Sequence, residues 1–154
     1  MTDGVIQLRS MKISDGSYLR KQLADTEALS YTLLTKPVSG SWFRVWLRMK
    51  TIFNLAFMID VDGKPVGFAG LYNLIPGQSA EMSLVIFDRE KRRRGYGSRA
   101  VDLLVNNLQT HSIVKSIFVE YKSNNIGAQS FWSKCGFVEK CRQENLITMV
   151  RDLI

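Results

Sequence analysis

The spacing of apolar and polar positions along the chain changes period several times, and each change marks an element. VIQLRS alternates and reads as a first strand. Ser14 can cap a helix that carries Tyr18, Leu19 and Leu23. A second helical piece runs through Glu27 to Leu34 and stops before Pro37, because proline disfavours helix at the residue before it. In SWFRVWLRMK, opening after Ser39 to Ser41, Trp42, Val45, Trp46 and Met49 recur at intervals of three and four. That spacing predicts one buried helical stripe.

The chain then becomes β-rich. LAFMIDV and KPVGFAGLYNL flank Asp62-Gly63, a pair suited to a tight hairpin turn. Pro76-Gly77 turns the chain again into SAEMSLVIF. After Gly97 the helical period returns, with Ala100, Val101, Leu104, Val105 and Leu108 on one face. VKSIFVEY is the next strand, NIGAQSFWSKC a helix closed by Gly136, and FVEKCRQ and LITMVRDL the final strands. The predicted fold class is α+β: one mixed sheet flanked by helices, in a single domain over residues 1–154.

Composition narrows the class. The apolar runs LAFMI and LVIF are of strand length and far short of a bilayer span, so no membrane is expected. MTDGVIQLRS lacks a basic start followed by an apolar block, so a secretion signal is not expected either. Cys135 and Cys141 are then expected as reduced thiols in a cytoplasmic protein, and two cysteines with one histidine predict no metal site.

Of the net charge of +7, an excess of +5 falls between Arg89 and Arg99, leaving +2 for the rest of the chain. This segment, EKRRRGYGSRA, connects a strand to a helix. Two glycines before a helix start allow main-chain N–H groups to face an anion without side-chain obstruction. The helix dipole and nearby guanidinium groups act in the same direction. A plain surface turn and a KRRR grip on nucleic acid are the other readings of the isolated motif. The absence of an aromatic platform beside the run argues against nucleic acid as a partner.

One strand downstream lies NIGAQSFWSKCGF, and the two segments together resemble the GNAT superfamily of acyl-CoA-dependent N-acyltransferases. The first family motif is Arg or Gln, two variable residues, Gly, one variable residue, then Gly or Ala; Arg92, Gly95 and Gly97 match it. The second is matched by Asn125, Ala128, Phe131-Trp132 and Gly136-Phe137. These motifs and their strands cover about residues 81 to 137. The helix-then-hairpin order before them resembles, more loosely, the branch with ribosomal-protein and amino-sugar N-acetyltransferases.

The resemblance implies a mostly antiparallel sheet of about seven strands, with SAEMSLVIF and VKSIFVEY splayed apart to admit acetyl-CoA as cosubstrate. It implies that main-chain amides of Arg93, Arg94, Gly95, Tyr96, Gly97 and Ser98, preceded by Arg92, hold the pyrophosphate. Val85, Ile86 and Phe87 would pair with the pantetheine arm, and Asn125 would bond to the cofactor. Glu81, at the start of that strand, is the candidate base that frees an acceptor amine of its proton; its other reading is a solvated strand end. Trp132 stands where many members have Tyr; indole N–H donates a hydrogen bond but is not a useful acid. Trp132 is therefore read as a cofactor contact or as core packing, with water, Ser130 or Tyr121 as other proton sources.

The implied reaction moves an acetyl group to a primary amine by direct attack on the thioester. The acceptor stays open among a protein N-terminus, an amino sugar and another small amine. Trp42 and Phe43 are weak candidates for its wall, beside the loop from Leu34 to Gly40. A non-catalytic CoA-binding regulator is the remaining alternative, and a homodimer is neither required nor excluded by the sequence.

Overall fold

The structure is a computed structural model that describes residues 1–25 and 40–154. The second helical piece expected at Glu27 to Leu34, the residues before Gly40 and the loop from Leu34 lie outside the described residues. Seven strands form one sheet: β1 (Gln7–Ser10), β2 (Ala56–Val61), β3 (Lys64–Ile75), β4 (Ser79–Ile86), β5 (Ser116–Lys122), β6 (Val138–Arg142) and β7 (Leu146–Asp152). Their spatial order is β1-β2-β3-β4-β5-β7-β6. All neighbours are antiparallel except β4 and β5, which are parallel. A parallel pair needs a long crossover, and the helix that follows the basic segment supplies it.

The helices among the described residues are α1 (Gly16–Leu23), α2 (Gly40–Ile52), α3 (Tyr96–Thr110) and α4 (Ile126–Lys134). Strand alternation divides the interior in two. Ile59 and Val61 of β2 join Val101, Leu104, Val105 and Leu108 of α3, together with Trp132 of α4. Met58, between them in sequence, turns to the other face and packs with Leu19, Phe43, Leu47, Phe68 and Val85. The helix pair α3 and α4 thus covers one face of the sheet, and α1 and α2 the other.

The hairpin turn is as expected: Asp62 and Gly63 both take left-handed backbone, at φ of 52° and 73°. Two helical expectations are corrected. Ser14 does not cap α1; it sits within a 3-10 turn, Ile13–Asp15, and Asp15 is the residue at the helix start. The carboxylate of Asp15 is engaged instead by Arg9, at 2.8 Å. In α2 the stripe of Trp42, Val45, Trp46 and Met49 is not the buried face. Trp42, Val45 and Met49 are exposed, while Phe43, Leu47 and Lys50 are buried. The helix carries two apolar stripes of similar spacing, and the sheet takes the one with Phe43 and Leu47.

Candidate active site

Pairing between β4 and β5 is confined to three residues on each strand: Ser79 with Ser116, Ala80 with Ile117, and Glu81 with Phe118. Both strands continue beyond that point, to Ile86 and Lys122, without bonding to each other. The unpaired lengths flank a cleft of about 1130 Å³, lined by residues 81–87 on one side and by Glu120 and Tyr121 on the other. The amide of Phe87 donates to Val66 O at 2.8 Å, towards β3. Successive residues of a strand direct their main-chain groups to opposite edges, so Ile86, and Leu84 before it, turn N–H and C=O into the gap. The three strand-end candidates, Val85, Ile86 and Phe87, all line the cleft, and Ile86 turns its N–H towards it.

At one end of this cleft the chain turns into α3. Arg93 and Gly95 are both left-handed, at φ of 59° and 82°. A non-glycine residue in that region is strained and is held there by its surroundings. Alternating backbone hands turn successive N–H groups to one side and form an anion-binding concavity. The amide of Arg99 bonds back to Gly95 O at 3.1 Å. Those of Tyr96, Gly97 and Ser98, earlier in the first turn, have no intrahelical acceptor. Arg92, Arg93, Gly95, Tyr96, Gly97 and Ser98 all line the cleft, whereas the exposed Arg94 does not.

The guanidinium of Arg92 turns back onto the strand, with Nε donating to Ile86 O at 2.8 Å and Nη2 to Phe87 O at 3.3 Å. That of Arg99 pairs with Asp3, at 2.7 Å. Gly97 is buried, and a Cβ there would come within 3.2 Å of Phe131 and 3.4 Å of Leu84. The motif glycines therefore differ in kind: Gly95 is required by its backbone hand, Gly97 by the approach of α3 to α4 and β4.

Asn125 starts α4, its Oδ1 accepting from the amide of Ala128 at 3.3 Å. This cap accounts for the Asn of the second motif. Trp132 is buried, with its ring 4.8 Å from that of Phe131 and 5.1 Å from that of Phe137, both edge-on. It belongs to the core and also borders the cleft. The Tyr121 hydroxyl donates to Met149 Sδ at 3.4 Å, and burial pushes its pKa up, away from that of a useful acid.

The opposite end of the cleft opens on the α1/α2 face of the sheet. Glu81 faces that way, since it shares its side of β4 with Val85. The β3–β4 register shifts between Tyr72 and Ile75, and within this bulge Asn73 takes φ of 46°. A bulge of this kind re-aims a side chain, and Asn73 Nδ2 donates to Glu81 Oε2 at 2.7 Å. Burial, followed by the Asn73 bond, the Glu120 charge and the Lys50 charge, sets the Glu81 pKa, with a net upward shift.

Trp42, Trp46 and Lys50, at intervals of four along α2, also line this end, with Phe43 beside them. Both acceptor-wall candidates, Trp42 and Phe43, are therefore at the cleft. Lys50 Nζ donates to Leu71 O and lies 3.5 Å from the centroid of the Tyr72 ring. Burial lowers its pKa to about 8, against a smaller opposing effect of Glu81. Burial likewise pushes the Tyr72 phenol up to about 12. Asn73, Lys50, Tyr72 and Glu120 were not legible as site residues from spacing alone. The lysine that continues the Trp42–Trp46 interval was the one available signal. Among the described residues no group of side chains could hold a metal ion, and no helix is long and apolar enough to cross a membrane.

Comparison with known proteins adds to this geometry. The model of the acetyltransferase (GNAT) family matches residues 22–137. No curated protein matches the sequence. Among solved structures, the fold is similar to that of RimL, a ribosomal L7/L12 alpha-N-protein acetyltransferase in complex with coenzyme A. The TM-score is 0.83 at 12% identity, over 99% of this chain and 96% of that one. Spermidine N-acetyltransferase from Vibrio cholerae, in complex with CoA and spermine, gives 0.82 at 17% identity over 98% and 97%. The microcin C7 self-immunity acetyltransferase MccE, in complex with acetyl-CoA and AMP, gives 0.81 at 12% over 97% and 93%.

Proposed function

The chain belongs to the GNAT acetyltransferase family, and on that premise we propose how its residues divide the transfer of an acetyl group from acetyl-CoA to a primary amine. The observation that carries the reading is the continuity of one cleft, from the left-handed turn at Arg93 and Gly95, through the unpaired stretch of β4 and β5, to Glu81. Residues Arg93 to Ser98 fit a diphosphate, because their turn and helix start present main-chain donors to a single concavity. Leu84 and the N–H of Ile86, whose carbonyl is held by Arg92, offer an extended arm the main-chain groups that β5 leaves unbonded. Bound acetyl-CoA supplies the activated acyl group.

The rest belongs to the chain. A gap-facing amide of β4 donates to the acyl oxygen as charge develops there. Glu81, oriented by Asn73, accepts the proton that an alkylammonium acceptor must lose before its nitrogen can attack, directly or through water. The upward shift of the Glu81 pKa brings its basicity closer to the task. Trp132 packs and excludes water but gives up no proton, and Tyr121 is a poor acid, so departure of the thiolate rests on solvent or on Ser130, which lines the cleft. Asn125 adds its side-chain amide to the cleft wall, its oxygen already engaged in the cap.

Thermal unfolding with and without CoA or acetyl-CoA, followed by continuous detection of CoA release with a panel of primary amines, tests this. Both a rise in unfolding temperature with cofactor and amine-dependent CoA release are expected. Absence of any stabilisation at millimolar cofactor would remove the cradle and the reaction with it. Stabilisation with no turnover on any amine would favour a CoA-binding regulator instead.

A further inference from the structure

Two polar or charged side chains among the described residues are buried, Asp60 and Lys50, and they are treated differently. Asp60 has a cation at hydrogen-bond distance, Arg9 Nε at 2.7 Å. Lys50 is 9% exposed, and no carboxylate of the described residues lies within 4.0 Å of its nitrogen. An ammonium has three protons to donate. Leu71 O accepts from Lys50, and the Tyr72 ring lies under the charge. The remaining donor capacity borders the cleft, of which Lys50 is a lining residue.

A buried charge without an anionic partner is costly even when one carbonyl accepts from it, and burial lowers the Lys50 pKa accordingly. Nothing in the acetyl transfer described above uses this cation. It sits on the acceptor side of the sheet with Glu81, near enough for each charge to perturb the other and too far for an ion pair. Tyr72, the register partner of Glu81, lies beneath Lys50. Glu81 and Lys50 line the same cleft, and among the described residues no carboxylate pairs with the lysine, so a molecule with an amine for the base and a nearby oxygen acceptor would satisfy both.

We infer that Lys50 is a specificity-determining residue which receives a carbonyl or carboxylate oxygen of the acceptor, while Glu81 receives its amine. The acceptor class is then an α-amino compound: a free amino acid or the first residue of a peptide. The inference rests on the acetyltransferase reading and narrows it. A simple alkylamine leaves Lys50 unpaired. A diamine fares worse, since its second ammonium would share the cleft with a like charge. Glu120, which also lines the cleft, accepts from Thr148 Oγ1 at 3.3 Å through Oε1 alone, so its charge is what would draw such an ammonium away from Lys50.

The test uses matched sets built on alanine, serine, leucine and phenylalanine. Each set contains the amino acid, its amide, a tripeptide beginning with it, and the decarboxylated amine that lacks the oxygen. CoA release gives kcat/KM, compared per neutral amine, for the natural chain and for Lys50→Met and Lys50→Arg. In at least one set the oxygen-bearing acceptors are expected to exceed the decarboxylated amine by roughly tenfold or more, the scale of one hydrogen bond to a charged group. The ratio is expected to fall towards one in Lys50→Met, through KM, and to be kept in part by Lys50→Arg. A better free amino acid identifies a small-molecule acceptor, and a better tripeptide a chain terminus; both support the inference. Equal use of decarboxylated amines in every set, or a preference that survives Lys50→Met, overturns it while leaving the acetyltransferase reading intact. If no member of any set is acetylated although cofactor binds and other amines are acetylated, the inference falls and the acetyltransferase reading stands; if no amine is acetylated at all, both fall.

Discussion

The side-chain amide of Asn73 donates to Glu81 Oε2 at 2.7 Å from a backbone held at φ of 46°. A bulge in β3 thus orients a carboxylate on β4. If Glu81 is the base, it acts only when deprotonated, so kcat/KM must fall as pH drops through a pKa above the ordinary glutamate value. Glu81→Gln should lower kcat by about a hundredfold or more and abolish that acid limb, with cofactor binding retained. The Asn73 bond favours the charged carboxylate, so Asn73→Ala should move the limb to higher pH. A pH–rate profile reads both; a limb that stays in place in Glu81→Gln assigns the base elsewhere.

Arg92 ties the cradle to the strand before it, through the carbonyls of Ile86 and Phe87. Its guanidinium thereby supports the gap-facing main chain. Arg92→Met should destabilise the fold by about 1.5–3 kcal/mol, the range for hydrogen bonds to a charged group. It should also weaken acetyl-CoA binding without altering the pH profile. Chemical denaturation and cofactor titration separate this from loss of a phosphate contact, which would weaken binding and leave stability unchanged.

Gly95 and Gly97 should respond differently to the same added methyl group. A Cβ at Gly95 meets nothing within 4 Å, but its φ of 82° is strained for any L side chain. Gly95→Ala should cost about 1–3 kcal/mol if the turn holds, and disturb the cradle if it relaxes. Gly97→Ala keeps ordinary helical backbone but crowds Phe131 at 3.2 Å. Pairing it with Phe131→Leu should recover much of the lost stability, whereas the same partner should do nothing for Gly95→Ala. Equal rescue of both would contradict the distinction.

What was legible in the sequence is what local periodicity and short motifs encode. β-rich runs flanking Asp62-Gly63 and after Pro76-Gly77 specified three strands, the first two buried on both faces, and the Ala100-to-Leu108 face specified α3, whose pattern fits only one buried side. In α2 the pattern fitted two sides, since Trp42–Trp46 and Phe43–Leu47 share one interval; only the sheet beneath decides between them. Glu81 was reachable as a strand-start carboxylate beside a cofactor strand. Asn73 was not, since it is eight residues away along the chain and meets Glu81 only through the bulge. Lys50 likewise becomes a site residue only when α2 lies across β3 and desolvates it.

Trp132 occupies a place where an acid would be expected, and its surroundings are apolar: Phe131 and Phe137 meet it edge-on. Trp132→Ala should cost about 3–5 kcal/mol of stability, the range for removing a buried aromatic side chain. Trp132→Phe should be much milder and should leave kcat nearly unchanged, because no proton passes through the indole. A large loss of kcat in a stable Trp132→Phe protein would instead give the indole N–H a role in the transfer.

Lys50 predicts how stability itself depends on pH. Its pKa falls from 10.5 in the unfolded chain to about 8 in the folded one, chiefly through burial. Between those values the unfolded chain holds the proton and the folded chain does not, so unfolding takes up protons and stability from this group rises with pH. Below about pH 8 both states are protonated, and the cost of burying the charge is felt in full. Lys50→Met keeps the aliphatic stem and removes the titration. The variant should therefore gain most over the natural chain near pH 7, and that gain should shrink as the pH is raised towards 10. Urea denaturation of both proteins at several pH values measures the difference directly, with contributions common to the two cancelling. A difference that does not vary with pH would mean that Lys50 keeps its ordinary basicity. The ammonium would then be solvated in the cleft rather than waiting for an oxygen to pair with it.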